Sequence, residues 1–130
     1  CDQPFQPVAS SCYYFLYYPN EWKTWGDANA YCQTLGGTLA APYRAADLRT
    51  YLVENFSNVF WVGAKKSPTT NAFEWLHGQE LAKEDWKEGQ PSKSAAKFCV
   101  YMEYFSGYKA INHYCGEKFS FICEKRAEME

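Results

Sequence analysis

Six cysteines, at positions 1, 12, 32, 99, 115 and 123, constrain this chain more than any other feature. None stands in a Cys-x-x-Cys pair, and the only histidines are His77 and His113. The close Cys/His spacing of a structural zinc site or a redox motif is therefore missing. An even cysteine count without metal spacing reads as three disulfides in a secreted domain, because disulfides persist in oxidising compartments. Spacing alone leaves about fifteen connectivities open. A bridge from Cys32 across a long loop would stabilise most, by roughly 3–5 kcal/mol in the chain-entropy model.

With 130 residues, 47% of them hydrophobic and 19% aromatic, the chain can bury one globular core yet still gains from cross-links. Thirteen basic against fifteen acidic residues give a net charge of -2, which offers no electrostatic reason to bind nucleic acid or an anionic membrane. No run approaches the ~18 apolar residues of a spanning helix, so no membrane insertion is expected. The start at Cys1, without a leader pattern, reads as the mature product of a processed precursor.

Taken in order, the chain offers a Pro-rich hairpin between Cys1 and Cys12, then an aromatic strand over 12–18. Thr24 is an N-cap with Asp27 three positions on, and Trp25, Ala28, Tyr31, Cys32 and Leu35 recur at helical spacing until Gly36-Gly37. A short strand over 38–41 precedes a second helix over 45–54, with Leu48, Tyr51 and Leu52 on one face. Residues 59–64 read as a buried strand and 71–75 as another. From 76 to 96 periodicity is lost, which in a compact domain points to a functional loop, with Trp75 and Trp86 placed to pin it. Segments 99–102 and 109–112 flank Tyr104 to Tyr108 as a hairpin with Gly107 at its turn, and 119–123 closes the domain. Glu124 to Glu130 is a charged run without a packing signal, giving one domain at 1–125 and a tail at 126–130. The expected class is α+β with mostly antiparallel strands.

These residues resemble the C-type lectin-like domain family over essentially the whole chain. Phe60-Trp61-Val62-Gly63 looks like that family's Trp-Ile-Gly-Leu core motif. The Cys32 helix, Trp75, Trp86 with Gly89-x-Pro91, Cys99, Cys115 and Phe121-Ile122-Cys123-Glu124 fall in register with it. The resemblance implies the pairs Cys1–Cys12, Cys32–Cys123 and Cys99–Cys115, the first marking a long form with an extra N-terminal hairpin. It also implies that the aperiodic stretch is the ligand loop.

In sugar-binding members of that family a calcium ion sits between three motifs. These are Glu-Pro-Asn or Gln-Pro-Asp with a usually cis proline, a Glu two residues before the third framework cysteine, and Trp-Asn-Asp before the fourth. The matching positions here are Gln90-Pro91-Ser92, Lys97 and Ala110-Ile111-Asn112. No carboxylate stands at any of them. Ca²⁺ takes about six to eight oxygens, and its affinity rises with their charge. At ~4 Å and an effective dielectric of about 20, the Lys97 ammonium would cost several kcal/mol against a divalent ion. The sugar-site calcium, and with it any cofactor, is therefore expected to be absent. Some members hold a structural calcium between the second helix and the glutamate after the last cysteine. Asp47 and Glu124 are the candidates here, although the helix position itself is Ala46.

Two functions follow from the resemblance. The first is a secreted lectin that binds glycans without calcium and serves innate recognition of microbial surfaces. Lys97 would stand near the metal position, Gln90, Ser92, Asn112 and His113 would hydrogen-bond hydroxyls, and Tyr108 would stack on the sugar. The second is a module that binds a protein or surface ligand through exposed anchors among Tyr101, Tyr104, Phe105, Tyr108 and Tyr114. Asn55-Phe56-Ser57 is a candidate glycan acceptor, and the same triplet is equally ordinary as a helix end. No catalysis is expected: neither histidine neighbours a nucleophile in sequence, and Glu80, Glu84, Asp85 and Glu88 read as a solvated acidic loop. A non-covalent homodimer would suit a weak single-site binder.

Overall fold

A computed structural model describes residues 1–94 and 96–126. Eight strands and two α-helices follow one another as β1 (Gln6–Val8), β2 (Ser11–Leu16), α1 (Trp25–Thr34), β3 (Thr38–Leu39) and α2 (Ala45–Asn55), then β4 (Val59–Lys66), β5 (Phe73–Trp75), β6 (Cys99–Glu103), β7 (Ala110–His113) and β8 (Ser120–Glu124). They form one sheet in the order β1-β2-β8-β4-β6-β7, with β3 beside β8 and β5 beside β4. All pairs are antiparallel except β4 with β8, which pairs Phe60 with Ser120 and Trp61 with Phe121 in parallel.

Both faces of the central strands are buried, which is why 59–64 reads as a continuous apolar run. Phe60, Val62 and Ala64 face one cluster with Leu48 and Leu52 of α2, Val100, Met102 and Ile122. Trp61 faces the other, with Trp25, Ala28 and Cys32 of α1, Leu39 and Phe121. Between these faces β3 and β4 lie close: Gly63 donates to the Ala40 carbonyl at 2.6 Å, and a Cβ on Gly63 would stand 2.5 Å from the Leu39 oxygen. Any other residue there would push the strands apart.

Thr24 caps α1 as expected, its hydroxyl accepting from Asp27 N–H at 3.3 Å. Cys1–Cys12, Cys32–Cys123 and Cys99–Cys115 are bonded. The second ties α1 to β8 through the core, and the third ties the start of β6 to the segment after β7.

The charged run after Cys123 corrects one expectation. Glu124 is the last residue of β8 and is buried. Arg126, placed in the tail by its sequence, donates to the Ala41 carbonyl and lies 4.4 Å from the centroid of the Tyr43 ring. The rest of the expected tail, 127–130, and Ala95 lie outside the described residues.

Candidate functional site

The stretch expected as a structureless loop is fastened to the domain along its first half. Leu81 is buried in the larger core cluster, and Trp86 packs edge-on against Phe73 at 5.3 Å. Lys87 N–H donates to the Ala110 carbonyl at 3.0 Å, so the loop runs beside β7. Arg49 of α2 reaches Asp85 at 3.1 Å, with their side chains only 11% and 13% exposed. Trp75 and Trp86 thus pin the loop as expected, and the Arg49–Asp85 pair adds a tie that spacing does not reveal. The Gln90–Pro91 bond is cis.

Beyond Pro91 one side chain ties residues 92 and 97 to the sheet. Asn112 alternates inward with Ala110 along β7 and is 1% exposed. Its Oδ1 accepts from Ser92 N–H at 2.7 Å, and its Nδ2 donates to the carbonyls of Ser92 and Lys97, both at 2.9 Å. A single amide therefore joins both limbs of the loop to the sheet. This corrects the expectation for Asn112: its polar atoms are spent inside the loop, not offered to a ligand.

Tyr108 needs a second correction. It lies at φ +64 after Gly107 and is fully buried, its ring 6.2 Å from Phe60 and its hydroxyl accepting from Asn58 N–H at 3.0 Å. Burial pushes its phenol above the ordinary value, the hydrogen bond from Asn58 opposing this in part. It is a core side chain and cannot stack on a sugar. Gln90 turns inward as well, its Oε1 buried with no hydrogen-bond partner among the described residues.

Ser92, Lys97 and His113 remain accessible. Lys97 lays its ammonium 5.2 Å over the ring of Tyr114, and His113 packs edge-on against the same ring at 5.3 Å. His113 Nε2 lies 3.6 Å from Glu117 Oε1, and its ring also meets Tyr101 at 5.4 Å. Tyr114, 45% exposed, thus touches both Lys97 and His113. The sequence alone offers Tyr114 only as an anchor for a protein or surface ligand.

At the other calcium position considered, the Glu124 carboxylate accepts from Ser11 Oγ at 2.6 Å and from Ala41 N–H at 2.8 Å. Arg126 Nε stands 3.6 Å from the same carboxylate. Asp47 points to Arg44 at 3.8 Å. Asn55, at the end of α2, is exposed and donates from Nδ2 to the Tyr51 carbonyl at 2.8 Å.

The family model for the lectin C-type domain matches residues 21–125. The chain belongs to the C-type lectin domain family. Human lithostathine-1-beta is 30% identical over 132 residues, spanning 95% of this chain and 77% of that relative. A lectin of Pleurodeles waltl is 31% identical over 119 residues, spanning 85% of this chain and 69% of its own. Among solved structures, a calcium-independent type II antifreeze protein superposes with a TM-score of 0.83, covering 98% of this chain and 95% of that one at 21% identity. That likeness is one of fold.

The calcium arrangement of sugar-binding C-type lectin domains does not fit these residues. At the Asn112 position the N–H groups of an amide point at the oxygens of Ser92 and Lys97, and its own oxygen is engaged. Gln90 Oε1 is one neutral oxygen, far short of what a hard divalent cation needs. Beside Glu124 the Arg126 guanidinium stands 3.6 Å from the carboxylate, a positive charge that disfavours a second cation. Among the described residues no three His, Cys, Asp or Glu side chains converge on a common point.

Proposed function

We propose that this lectin domain binds glycans without calcium, on the face formed by Ser92, Lys97, His113 and Tyr114. The observation that carries this reading is the triple hydrogen bond of Asn112, which shapes the ligand loop from within the chain. A loop ordered in this way needs no ion to present its outer face. On that face Tyr114 offers a half-exposed ring for the apolar side of a sugar, and Lys97 and Ser92 offer directional donors to its hydroxyls.

The proposed protein is non-catalytic and extracellular. Three disulfides support an oxidising compartment, and no helix among the described residues is long and apolar enough to cross a membrane. Its partners are glycoconjugates such as those of microbial surfaces, which gives it a part in innate recognition. A single shallow face binds weakly, so presentation as a non-covalent homodimer would raise avidity.

A glycan array run with calcium and with EDTA tests the proposal. The expected result is the same set of bound glycans in both. Binding that disappears with EDTA would contradict it, and an array without any binding would favour the second function, a protein or surface ligand.

A further inference from the structure

The end of the sheet away from the ligand loop carries a different cleft. Val59 pairs with Glu103 at one end of the β4–β6 ladder, while Lys65 pairs with Cys99 at the loop end. Beside the Val59–Glu103 pair lies a cleft of about 270 Å³ lined by Trp22, Val59, Glu103, Tyr104, Phe105 and Phe119 among others. Phe105 is 93% exposed, and Trp22 and Tyr104 each leave 42% of their surface in solvent. Three large aromatic side chains exposed around one depression exceed the scattered apolar surface that needs no explanation.

The cleft is firmly built. Gly107 in the left-handed region and the buried Tyr108 close a short turn over Tyr104–Ser106. Tyr104 N–H donates to the Asn58 carbonyl at 3.1 Å, and Asn58 N–H donates to the Tyr108 hydroxyl at 3.0 Å. Trp22 is held by its indole N–H on the Tyr17 carbonyl at 3.5 Å.

Glu103 sets the chemistry. It is 9% exposed, and Oε2 accepts from Phe105 N–H at 2.8 Å. Among the described residues no lysine, arginine or histidine pairs with it, and every other residue lining the cleft is uncharged. A mostly covered carboxylate with no cation beside it is a natural counter-charge for an opposite charge brought into the cleft. Aromatic faces around it attract the same kind of guest, since their quadrupoles favour cations.

We propose that this cleft binds an alkylammonium cation, with the rings of Trp22, Tyr104 and Phe105 against its alkyl groups and Glu103 as its counter-charge. An anion would meet the carboxylate unfavourably, and a neutral apolar guest would bury it further without relief. The volume is at or below the small end of ligand pockets, roughly 300–1,000 Å³, and suits one head group. Two sources share this chemistry: the quaternary ammonium of a choline head group and the primary ammonium of a lysine side chain. The site is separate from the glycan face and stands whether or not that face binds sugar.

The test is an NMR titration of the ¹⁵N-labelled intact chain with choline chloride, with Nα-acetyl-lysine amide and with 3,3-dimethylbutan-1-ol, a neutral isostere of choline. An ammonium compound is expected to shift the Trp22 indole N–H and the Phe105 N–H saturably, and whichever saturates first assigns the source. The neutral alcohol should bind about tenfold more weakly. Glu103→Gln should weaken the ammonium by a similar factor while keeping an acceptor for Phe105 N–H. Trp22→Ala, at an exposed position, should weaken it with the fold unchanged, and so covers the case in which Glu103→Gln disturbs the turn. Equal binding of the alcohol and choline, or no shift with either ammonium, would overturn the proposal.

Discussion

Between residues 76 and 90 the ligand loop is held as a core is held, by Leu81, by Trp86 against Phe73, and by the Arg49–Asp85 pair. Between 92 and 97, among the described residues, its ties to the sheet are hydrogen bonds from one side chain, Asn112, and Phe98 is then fixed by Lys66 N–H on its carbonyl at 2.8 Å. The first half is bound to the stability of the whole domain, because its anchors lie in the main apolar cluster. The ties of the second half are polar and few, so losing them is expected to disturb the loop more than the core. Recognition is proposed for the second half, where a local change of shape costs least.

Substitutions in the two halves should therefore differ in kind as well as in size. Leu81→Ala removes buried apolar volume and should lower global stability by about 2–4 kcal/mol, read from the urea midpoint. Arg49→Ala strands Asp85 in a nearly closed site and should cost about 2–3 kcal/mol. Replacing both members of that pair by apolar residues should recover most of the loss, because the attraction largely offsets its own desolvation.

Asn112→Ala should cost about 1–2 kcal/mol globally, while Ser92 N–H loses most of its protection from hydrogen exchange. A global loss as large as that of Leu81→Ala would erase the distinction between the halves. Lys97→Ala should leave the melting temperature almost unchanged, within about 0.5 kcal/mol, and should lower glycan affinity about tenfold. Unchanged affinity in that variant would remove Lys97 from the site.

The sequence carried the frame of the molecule well. Apolar residues at helical spacing after Thr24 located α1, and the run at 59–64 located the strand on which both core clusters meet. The resemblance implied the three disulfide pairs that the structure holds. The site was less legible because its decisive features are polar groups facing inward. Asn112 resembled a ligand by its chemistry, yet the alternation of β7, with Ala110 and Asn112 buried and Ile111 and His113 half-exposed, gives the period that turns it to the core. Tyr108 was misplaced because a tyrosine in a hairpin turn reads as surface, whereas its left-handed backbone carries the ring beneath the turn. The resemblance places Glu124 in register after Cys123, but nothing in a charged run signals that its carboxylate is buried at 4% exposure with the Arg126 guanidinium against it.

Whether the Asn112 amide or an ion orders the second half of the loop is reported directly by Ser92 N–H. Its hydrogen exchange, followed by NMR in the intact chain with millimolar calcium and again with EDTA, should be slow and equal in both conditions. In Asn112→Ala it should be fast in both. Protection of Ser92 that depends on calcium in the unsubstituted chain would contradict the account.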